Sequence, residues 1–270
     1  MEEHYLAATG CTKVGYSNAM GVIQNCRQRS LLSGRSLGQQ LCVDVVRSIP
    51  ATAKAQDNRE SKRSYSQFGE DCVIRSLLPE RIGRYLDIGS GHPTRNSNTY
   101  LLYRRGWRGV LVEPIARLAS LSVRKRKRDT VLNGVASSAA IEDVVFWEFE
   151  PSELSTTAEH RAQELVHAGF ALRSTYPCKA FPISVLTGPV APSEPFLFSI
   201  DTEGSDFQIL SSLSWPSFQP RVVCLENHEP WSETSEVRKL MTSVGYKLIS
   251  QHLVTSIYIH SEAEGLEFFQ

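Results

Sequence analysis

Short apolar runs, several of which end in an acidic residue, recur along the chain. They occupy residues 84–87, 109–113, 130–136, 144–147, 196–201 and 221–226, and helix-like segments separate most of them. Continuous apolar runs of this length are typical of strands that are buried on both faces of a parallel sheet. The pattern therefore predicts an α/β fold with a mostly parallel sheet and helices on both faces.

The carboxyl-terminal part of the pattern differs from the rest. Residues 246–250 and 255–259 both have the composition of strands, and only a few residues join them. Such a short link cannot hold a crossover helix, so the two strands must be antiparallel. We expect a seven-stranded sheet that is finished by one antiparallel strand near the carboxyl terminus.

The pattern also divides the chain. Residues 1–63 lack clear periodicity, and we expect an amino-terminal extension that is partly disordered or helical. Residues 64–270 form the expected catalytic domain. Within this domain, residues 151–195 are polar and rich in proline, which predicts a variable insertion with a helix followed by a loop. Insertions of this kind often shape the substrate side of a site.

Two glycines follow the first predicted strand, and two acids frame them. Asp87 stands two residues before Gly89, Gly91 comes next, and Glu113 ends the second strand. Glycines let the backbone approach a ligand, and an acid at the second strand can accept hydrogen bonds from ribose hydroxyls. Asp87 would repel a pyrophosphate, so the motif favours cationic S-adenosylmethionine over a nicotinamide dinucleotide. A glycine turn that binds no ligand is the remaining alternative.

A second group of polar residues is expected at the same edge of the sheet. Asp201 and Glu226 end two later strands, and Asn227 and His228 follow the second of them. Ligands bind at the carboxyl ends of parallel strands, so a methyl acceptor should approach here. Asp201, Glu226 and Asn227 either hold Mg²⁺ through hard oxygen atoms or hydrogen-bond to loop amides. His228 is one candidate general base, and His92 is its rival.

Composition and charge narrow the expected partners. The chain has 29 basic and 29 acidic residues, so no overall field attracts nucleic acid or a membrane surface. Six cysteines show no metal-binding or disulfide pattern, and Cys72 and Cys224 lie in apolar runs as expected for free thiols. No apolar run is long enough to cross a bilayer, and no secretory signal is evident. We therefore expect a cytoplasmic protein.

One dense charge run, RKRKR at residues 124–128, stands apart from this balance. Cations at the end of a helix favour its dipole, so a solvated helix end is one interpretation. A patch for an anionic substrate or for nucleic acid is the other.

Several motifs in register resemble the FkbM-type methyltransferase family. They are SQFGED at 66–71, DIGSGHP at 87–93, SNTY at 97–100, GWRG at 106–109, SIDTEGSD at 199–206 and LEN at 225–227. The resemblance extends from residue 64 to residue 260. It implies a class I, Rossmann-like O-methyltransferase that uses S-adenosylmethionine and acts on a hydroxyl of a sugar, a glycan or a secondary metabolite.

The resemblance also implies roles for individual residues. Together with the third strand, which should end near the adenine, it gives the expected cofactor-binding residues Gln67, Glu70, Asp87, Gly89, Gly91, Glu113 and Asn133. Asp201 and Glu203 would lie between cofactor and acceptor, which makes them the expected catalytic residues together with His228. The expected partner is a small-molecule or glycan acceptor.

Two other functions have some support in the sequence. A catalytically inactive binding or scaffold protein would keep the fold, and the unexplained extension at 1–63 would permit it. The intact acids at the cofactor positions argue against this alternative. Nucleic-acid methylation rests only on the run at 124–128, and the chain lacks an Asn-Pro-Pro-Tyr-like motif for base flipping.

Overall fold

The computed structural model describes residues 64–226, 235–252 and 254–263. The predicted extension at 1–63 lies outside these ranges, so the domain boundary at residue 64 stays a prediction. Ten strands are present in the described ranges: β1 (Arg84–Ile88), β2 (Arg108–Glu113), β3 (Thr130–Asn133), β4 (Val135–Ser137), β5 (Asp143–Glu150), β6 (Ala171–Pro182), β7 (Phe196–Ile200), β8 (Val222–Glu226), β9 (Tyr246–His252) and β10 (Thr255–His260).

Seven of these strands form the central sheet, in the spatial order β3-β2-β1-β7-β8-β10-β9. The pairs from β3 to β8 are parallel, and β10 is antiparallel to both β8 and β9. The predicted seven-stranded, mostly parallel sheet with an antiparallel strand near the carboxyl terminus is therefore confirmed. The carboxyl ends of β1, β2, β7 and β8 lie at one edge of the sheet.

A separate sheet holds β4, β6 and β5, in that order. The predicted strand at 130–136 divides at Gly134, where a Cβ atom would come within 2.4 Å of the carbonyl oxygen of Lys179 in β6. The expectation of a helix and then a loop at 151–195 is wrong in part, because β6 pairs with β5 over nearly its whole length. Pro177 and Pro182 lie in β6. Because proline argues against a strand, the sequence pattern does not predict β6.

The helices are α1 (Glu70–Leu77), α2 (Tyr100–Arg104), α3 (Ala116–Lys125), α4 (Glu159–His167), α5 (Ile183–Leu186), α6 (Asp206–Ser211) and α7 (Glu236–Ser243), with a 3-10 turn at Ser152–Leu154. Helices α1 and α2 pack on one face of the central sheet through side chains such as Ile74 and Leu102. Helices α6 and α7 pack on the opposite face through Leu210 and Met241. Both faces are therefore covered, as predicted.

The alternation of side chains along β1 decides where its polar residue points. Tyr85 packs in the core under α1 and α2, whereas Leu86 and Ile88 pack in the core under α6 and α7. Successive side chains of a strand point to opposite faces. Asp87 therefore lies on the same side of the sheet as Tyr85.

Two other expectations concern cysteines and membranes. Cys178 and Cys224 are buried free thiols. Cys72 is disulfide-bonded, so the expectation of a free thiol is wrong at that position. Among the described residues, no helix has the length and apolar character to cross a membrane. The cellular compartment stays a prediction.

Candidate active site

A cavity of about 600 Å³ opens at the carboxyl edge of the central sheet. Its walls come from the loops after β1, β2 and β7, from the end of β8, from one side of α3, from the start of β4 and from the 3-10 turn. The sequence-predicted residues that line it are Gln67, Gly89, Gly91, His92, Glu113, Asp201, Glu203 and Glu226. Volumes of this order are typical of small-molecule and cofactor sites.

The two predicted glycines shape the loop after β1. Gly89 has a φ of +71°, and a Cβ atom at this position would lie 1.7 Å from the carbonyl oxygen of Asp201. Gly91 has a φ of +59° but has open space around the position of a Cβ atom. Only glycine adopts such φ values without strain. Gly89 is thus required where the β1 and β7 loops touch, and Gly91 is required for the turn.

Glu113 fastens the glycine loop to the end of β2. Its Oε2 accepts a hydrogen bond from the amide of Gly91 at 2.7 Å, and its Oε1 accepts one from the amide of Ile115 at 2.9 Å. Burial raises the pKa of Glu113 to about 7, against the effect of these two amides. Each carboxylate oxygen has a second lone pair, so Glu113 can still accept hydrogen bonds from a ligand in the cavity.

Asp87 and Asn133 are close to the cavity but do not line it. Asp87 accepts a hydrogen bond from the hydroxyl of Thr99 at 2.5 Å, and burial raises the pKa of its carboxyl group to about 6. Asn133 donates hydrogen bonds of 2.9 Å to the carbonyl oxygens of Glu113 and Pro114. Both side chains hold backbone segments that border the cavity, so their support for a cofactor is indirect.

The amino-terminal motif contributes one lining residue. Gln67 borders the cavity and is exposed. Glu70 is buried, and its Oε2 accepts a hydrogen bond from the amide of Phe68 at 2.8 Å. Its Oε1 has no hydrogen-bond partner among the described residues. The predicted pair is therefore divided between the cavity and the protein interior.

Three carboxylates meet at the other side of the cavity. One oxygen atom each of Asp201, Glu203 and Glu226 lies within 4.8 Å of the other two. Asp201 follows β7, Glu226 ends β8, and Glu203 lies in the loop between β7 and α6, with a φ of +54°. A left-handed conformation is unfavourable for a glutamate, so the surrounding structure must hold it. The structure brings Asp201 together with Glu203 and Glu226, two of the four residues that the sequence analysis groups with it.

The negative charges of this acidic cluster make it harder for Asp201 to lose its proton. Water reaches Asp201 from the cavity, but protein surrounds it on the other sides, and this desolvation raises the pKa of its carboxyl group well above the usual value. The negative charges of Glu226 and Glu203 raise it further, because the oxygen atoms of the three groups lie within 4.8 Å of one another. Carboxyl groups this close do not all ionise easily, so the cluster favours a bound proton.

Residues of the insertion support the loop that carries Glu203. Thr156 donates a hydrogen bond of 2.8 Å to the carbonyl oxygen of Glu203, and the hydroxyls of Thr157 and Ser205 lie 2.9 Å apart. Thr157 and the 3-10 turn also line the cavity. The expectation that 151–195 shapes the substrate side stays a prediction, and no pattern in the sequence indicates these contacts.

The apolar wall of the cavity was not predicted. Ile115, Leu118 and Leu121 present one side of α3, and Val135 and Phe146 come from the second sheet. The spacing of the three α3 residues after Glu113 is helical and could have indicated this wall. Phe146 gave no comparable signal, because its approach depends on the pairing of distant strands.

The candidate bases and the metal ligands are only partly described. His92 lines the cavity, and its Nδ1 accepts a hydrogen bond from the amide of Thr94 at 3.2 Å. Burial and the nearby charge of Arg95 lower the pKa of His92, so the ring is neutral near pH 7. Asn227 and His228 lie outside the described residues, and their roles stay predictions.

The charge run at 124–128 is not simply a solvated helix end. Arg124 lines the cavity, and Arg126 is fully buried. Lys125 and Lys127 are exposed, as the solvated interpretation requires. The run therefore contains residues in three different environments, which its uniform sequence does not distinguish.

The order of the central strands, the glycine loop after β1 and the acid that ends β2 define a class I methyltransferase. The sequence profile of the Methyltransferase FkbM domain matches residues 87–248. The chain therefore belongs to the FkbM family of S-adenosylmethionine-dependent methyltransferases.

Two solved structures are similar to this chain. One is a TehB-like SAM-dependent methyltransferase from Corynebacterium glutamicum, with a TM-score of 0.37 and 8% sequence identity over 82% of this chain and 97% of that chain. The other is a SAM-dependent methyltransferase from Thermotoga maritima, a possible histamine N-methyltransferase, with a TM-score of 0.34 and 14% identity over 72% of this chain and 87% of that chain. No curated protein sequence matches the chain.

Proposed function

We propose that the protein transfers a methyl group from S-adenosylmethionine to a hydroxyl group of a sugar, a glycan or a secondary metabolite. The observation that carries this proposal is the pair of Asp201 and Glu226, whose oxygen atoms lie within 4.8 Å of each other and which borders the same cavity as the glycine loop and Glu113. An alcohol is a poor nucleophile until its proton is removed. A carboxylate pair beside the cofactor-binding wall meets that requirement.

The cofactor side of the cavity suits S-adenosylmethionine. Glu113 would accept hydrogen bonds from the ribose, Gly91 would allow the backbone to approach the amino-acid part, and the apolar wall of α3 would pack on the adenine. When bound, S-adenosylmethionine supplies an electrophilic methyl group on its sulfonium. Asp87 and Asn133 would support this side indirectly, through the backbone segments that they hold.

On the acceptor side, Asp201 would act as the general base. The raised pKa of Asp201 means that the pair with Glu226 holds one proton over a range of pH and retains one carboxylate oxygen able to accept another. The acceptor hydroxyl would give its proton to that oxygen and receive the methyl group in place of sulfur, so that the cofactor would remain as S-adenosylhomocysteine. Glu203 would stand beside the pair and hydrogen-bond to the acceptor.

A divalent cation is the second candidate for relieving the acidic cluster. The oxygens of Asp201, Glu203 and Glu226 are close enough to meet at one ion, and carboxylate oxygens are the ligands that Mg²⁺ prefers. In that case the ion would increase the acidity of the acceptor hydroxyl, and the carboxylates would hold the ion instead of a proton.

Calorimetric titration with S-adenosylhomocysteine tests the proposal. We expect binding to the protein as purified, and the same affinity after EDTA treatment if a shared proton relieves the cluster. Affinity or turnover that requires added Mg²⁺ would favour the cation instead. A subsequent screen of sugars and hydroxylated metabolites should detect methyl transfer, whereas transfer only to amines would refute the preference for hydroxyl groups. Binding with no turnover on any acceptor would favour the inactive scaffold.

A further inference from the structure

Arg126 is buried, whereas its neighbours in the charge run, Lys125 and Lys127, are exposed. Its side chain is 1% exposed, and its guanidinium carbon lies 5.4 Å, 5.8 Å and 4.9 Å from the ring centres of Tyr85, Tyr100 and Tyr103. Burying a guanidinium is costly unless its donors find acceptors and its charge finds a partner. The contacts of Arg126 must therefore compensate for the free-energy cost of burying its charge.

Every N–H group of the guanidinium has an acceptor. Nε donates to Asp129 at 2.7 Å, and Nη2 donates to the hydroxyls of Tyr85 at 2.8 Å and Thr99 at 3.0 Å. Nη1 donates to the carbonyl oxygen of Pro93 at 3.3 Å and to the hydroxyl of Ser97 at 3.5 Å. An arginine has five such N–H donors, so its hydrogen-bonding capacity is fully used.

Three of these five acceptors belong to one segment. Pro93, Ser97 and Thr99 lie between β1 and α2, in the segment 89–99 that borders the cavity through residues including Gly91, His92 and Arg95. The other two acceptors, on Tyr85 and Asp129, also hydrogen-bond to each other. If Arg126 served only to pair with Asp129, the three contacts to the segment 89–99 would be unnecessary.

A further hydrogen bond extends this network to β1. Thr99 receives a hydrogen bond from Arg126 and donates its own proton to Asp87. Asp87 comes two residues before Gly89, where the cavity wall begins. The network therefore holds the middle and the end of the segment 89–99 directly, and its start through Asp87.

We infer that Arg126 is a positioning residue, which fixes the segment 89–99 from behind the cavity wall so that its backbone can receive the amino-acid part of the cofactor. This inference rests on the proposed placement of that part of the cofactor at the glycine loop. Ribose and adenine, in contrast, would contact Glu113 and α3, which also have anchors outside the segment: Glu113 accepts a hydrogen bond from the amide of Ile115, and Leu118 of α3 packs with Phe146.

Affinity for two ligands separates this role from a general contribution to stability. S-adenosylhomocysteine carries the amino-acid part and adenosine lacks it, so both should be titrated calorimetrically at a temperature where circular dichroism shows folded protein. Arg126→Lys and Thr99→Val should each weaken binding of S-adenosylhomocysteine by about tenfold, because each removes hydrogen bonds that hold the segment 89–99. Binding of adenosine should stay close to that of the wild type.

Two control variants complete the experiment. Thr99→Ser keeps the hydroxyl and should restore the wild-type affinity, and Lys127→Met changes an exposed neighbour and should have no effect. Unchanged affinity for S-adenosylhomocysteine in Thr99→Val, or an equal loss for both ligands, would overturn the inference. If Arg126→Lys does not fold, the comparison of Thr99→Val with Thr99→Ser decides. Wild-type protein that binds neither ligand would contradict the proposed function instead.

Discussion

The two sides of the cavity compensate the charges of their carboxylates in opposite ways. After β1 and β2, Glu113 is hydrogen-bonded to two backbone amides, and Asp87 is hydrogen-bonded to Thr99. After β7 and β8, the carboxylates of Asp201, Glu203 and Glu226 lie against one another. The first side is arranged before a ligand arrives, whereas the second concentrates negative charge that a proton, a cation or a substrate must relieve.

This difference indicates which side of the cavity suits cofactor binding and which side suits catalysis. Groups that are already hydrogen-bonded to the backbone change little when a ligand binds, which suits a binding surface. Carboxylates that lie against one another can hold and exchange a proton during a reaction, which suits catalysis. We therefore expect changes on the first side to affect cofactor affinity and changes on the second side to affect rate.

The largest expected effect is that of Gly89→Ala, where the two sides touch. The new Cβ atom would overlap the carbonyl oxygen of Asp201, which lies 1.7 Å from its position. We expect little folded protein, measured by soluble yield and circular dichroism. Gly91→Ala is the matched control, because it has the same left-handed backbone but open space. It should fold with a loss of about 1–2 kcal/mol. Equal stability of the two variants would show that contact between the loops is unimportant.

Asp201→Asn should come next in size. The asparagine keeps the shape of the side chain but cannot accept the proton of the acceptor hydroxyl, so kcat should fall by about 10²–10⁴, the usual contribution of a general base. Affinity for S-adenosylhomocysteine should be unchanged, because Asp201 borders the cavity on the side opposite Glu113 and α3. Poor cofactor binding with a normal rate at saturation would reverse the roles of the two sides.

Glu113→Gln should show the opposite behaviour. The glutamine amide presents N–H groups toward one of the two backbone amides that the carboxylate now accepts from. We expect affinity for S-adenosylhomocysteine to fall by roughly 10–100-fold, the effect of losing a hydrogen bond to a charged group. The rate at saturating cofactor should change little. Calorimetry together with steady-state kinetics distinguishes this result from a loss of kcat, which would place Glu113 on the catalytic side.

The sequence predicts the two sides unequally well, for physical reasons. The strands, the glycine loop and Glu113 follow from local patterns, because buried strands and tight turns constrain residue type directly. The side of the sheet on which Asp87 lies depends on the phase of β1 and could have been read from its alternation with Tyr85 and Leu86. The burial of Arg126 could not, because no local feature separates it from the exposed cations on either side.

The insertion was the least predictable part of the site. Thr156 and Thr157 hold the loop of Glu203 and Ser205 through contacts that join residues nearly fifty positions apart. Such contacts depend on how β5 and β6 pair, and the prolines of β6 concealed that pairing. The expectation for 151–195 therefore includes the helix α4 but misses the strand β6, and its place on the substrate side stays a prediction.

The smallest expected effect concerns the stability of the ligand-free protein at different pH values. Burial raises the pKa of Glu113 from 4.5 to about 7 and that of Asp87 from 3.8 to about 6. The folded state therefore retains protons that the unfolded state has already lost. The stability from these groups is fully present below about pH 4 and decreases as the pH rises through 6 and 7.

Melting temperatures from pH 4 to pH 8 measure this effect. We expect a decrease on the alkaline side, at about 1.4 kcal/mol for each unit of raised pKa and about 2–4 °C for each kcal/mol. Asp87→Asn keeps an acceptor for the hydroxyl of Thr99 but does not ionise, so its melting temperature should fall less between pH 4 and pH 6. Parallel profiles for the variant and the wild type would mean that Asp87 ionises freely. Burial would then cost the first side of the cavity less free energy than the raised pKa of Asp87 indicates. The contrast with the acidic cluster would be greater.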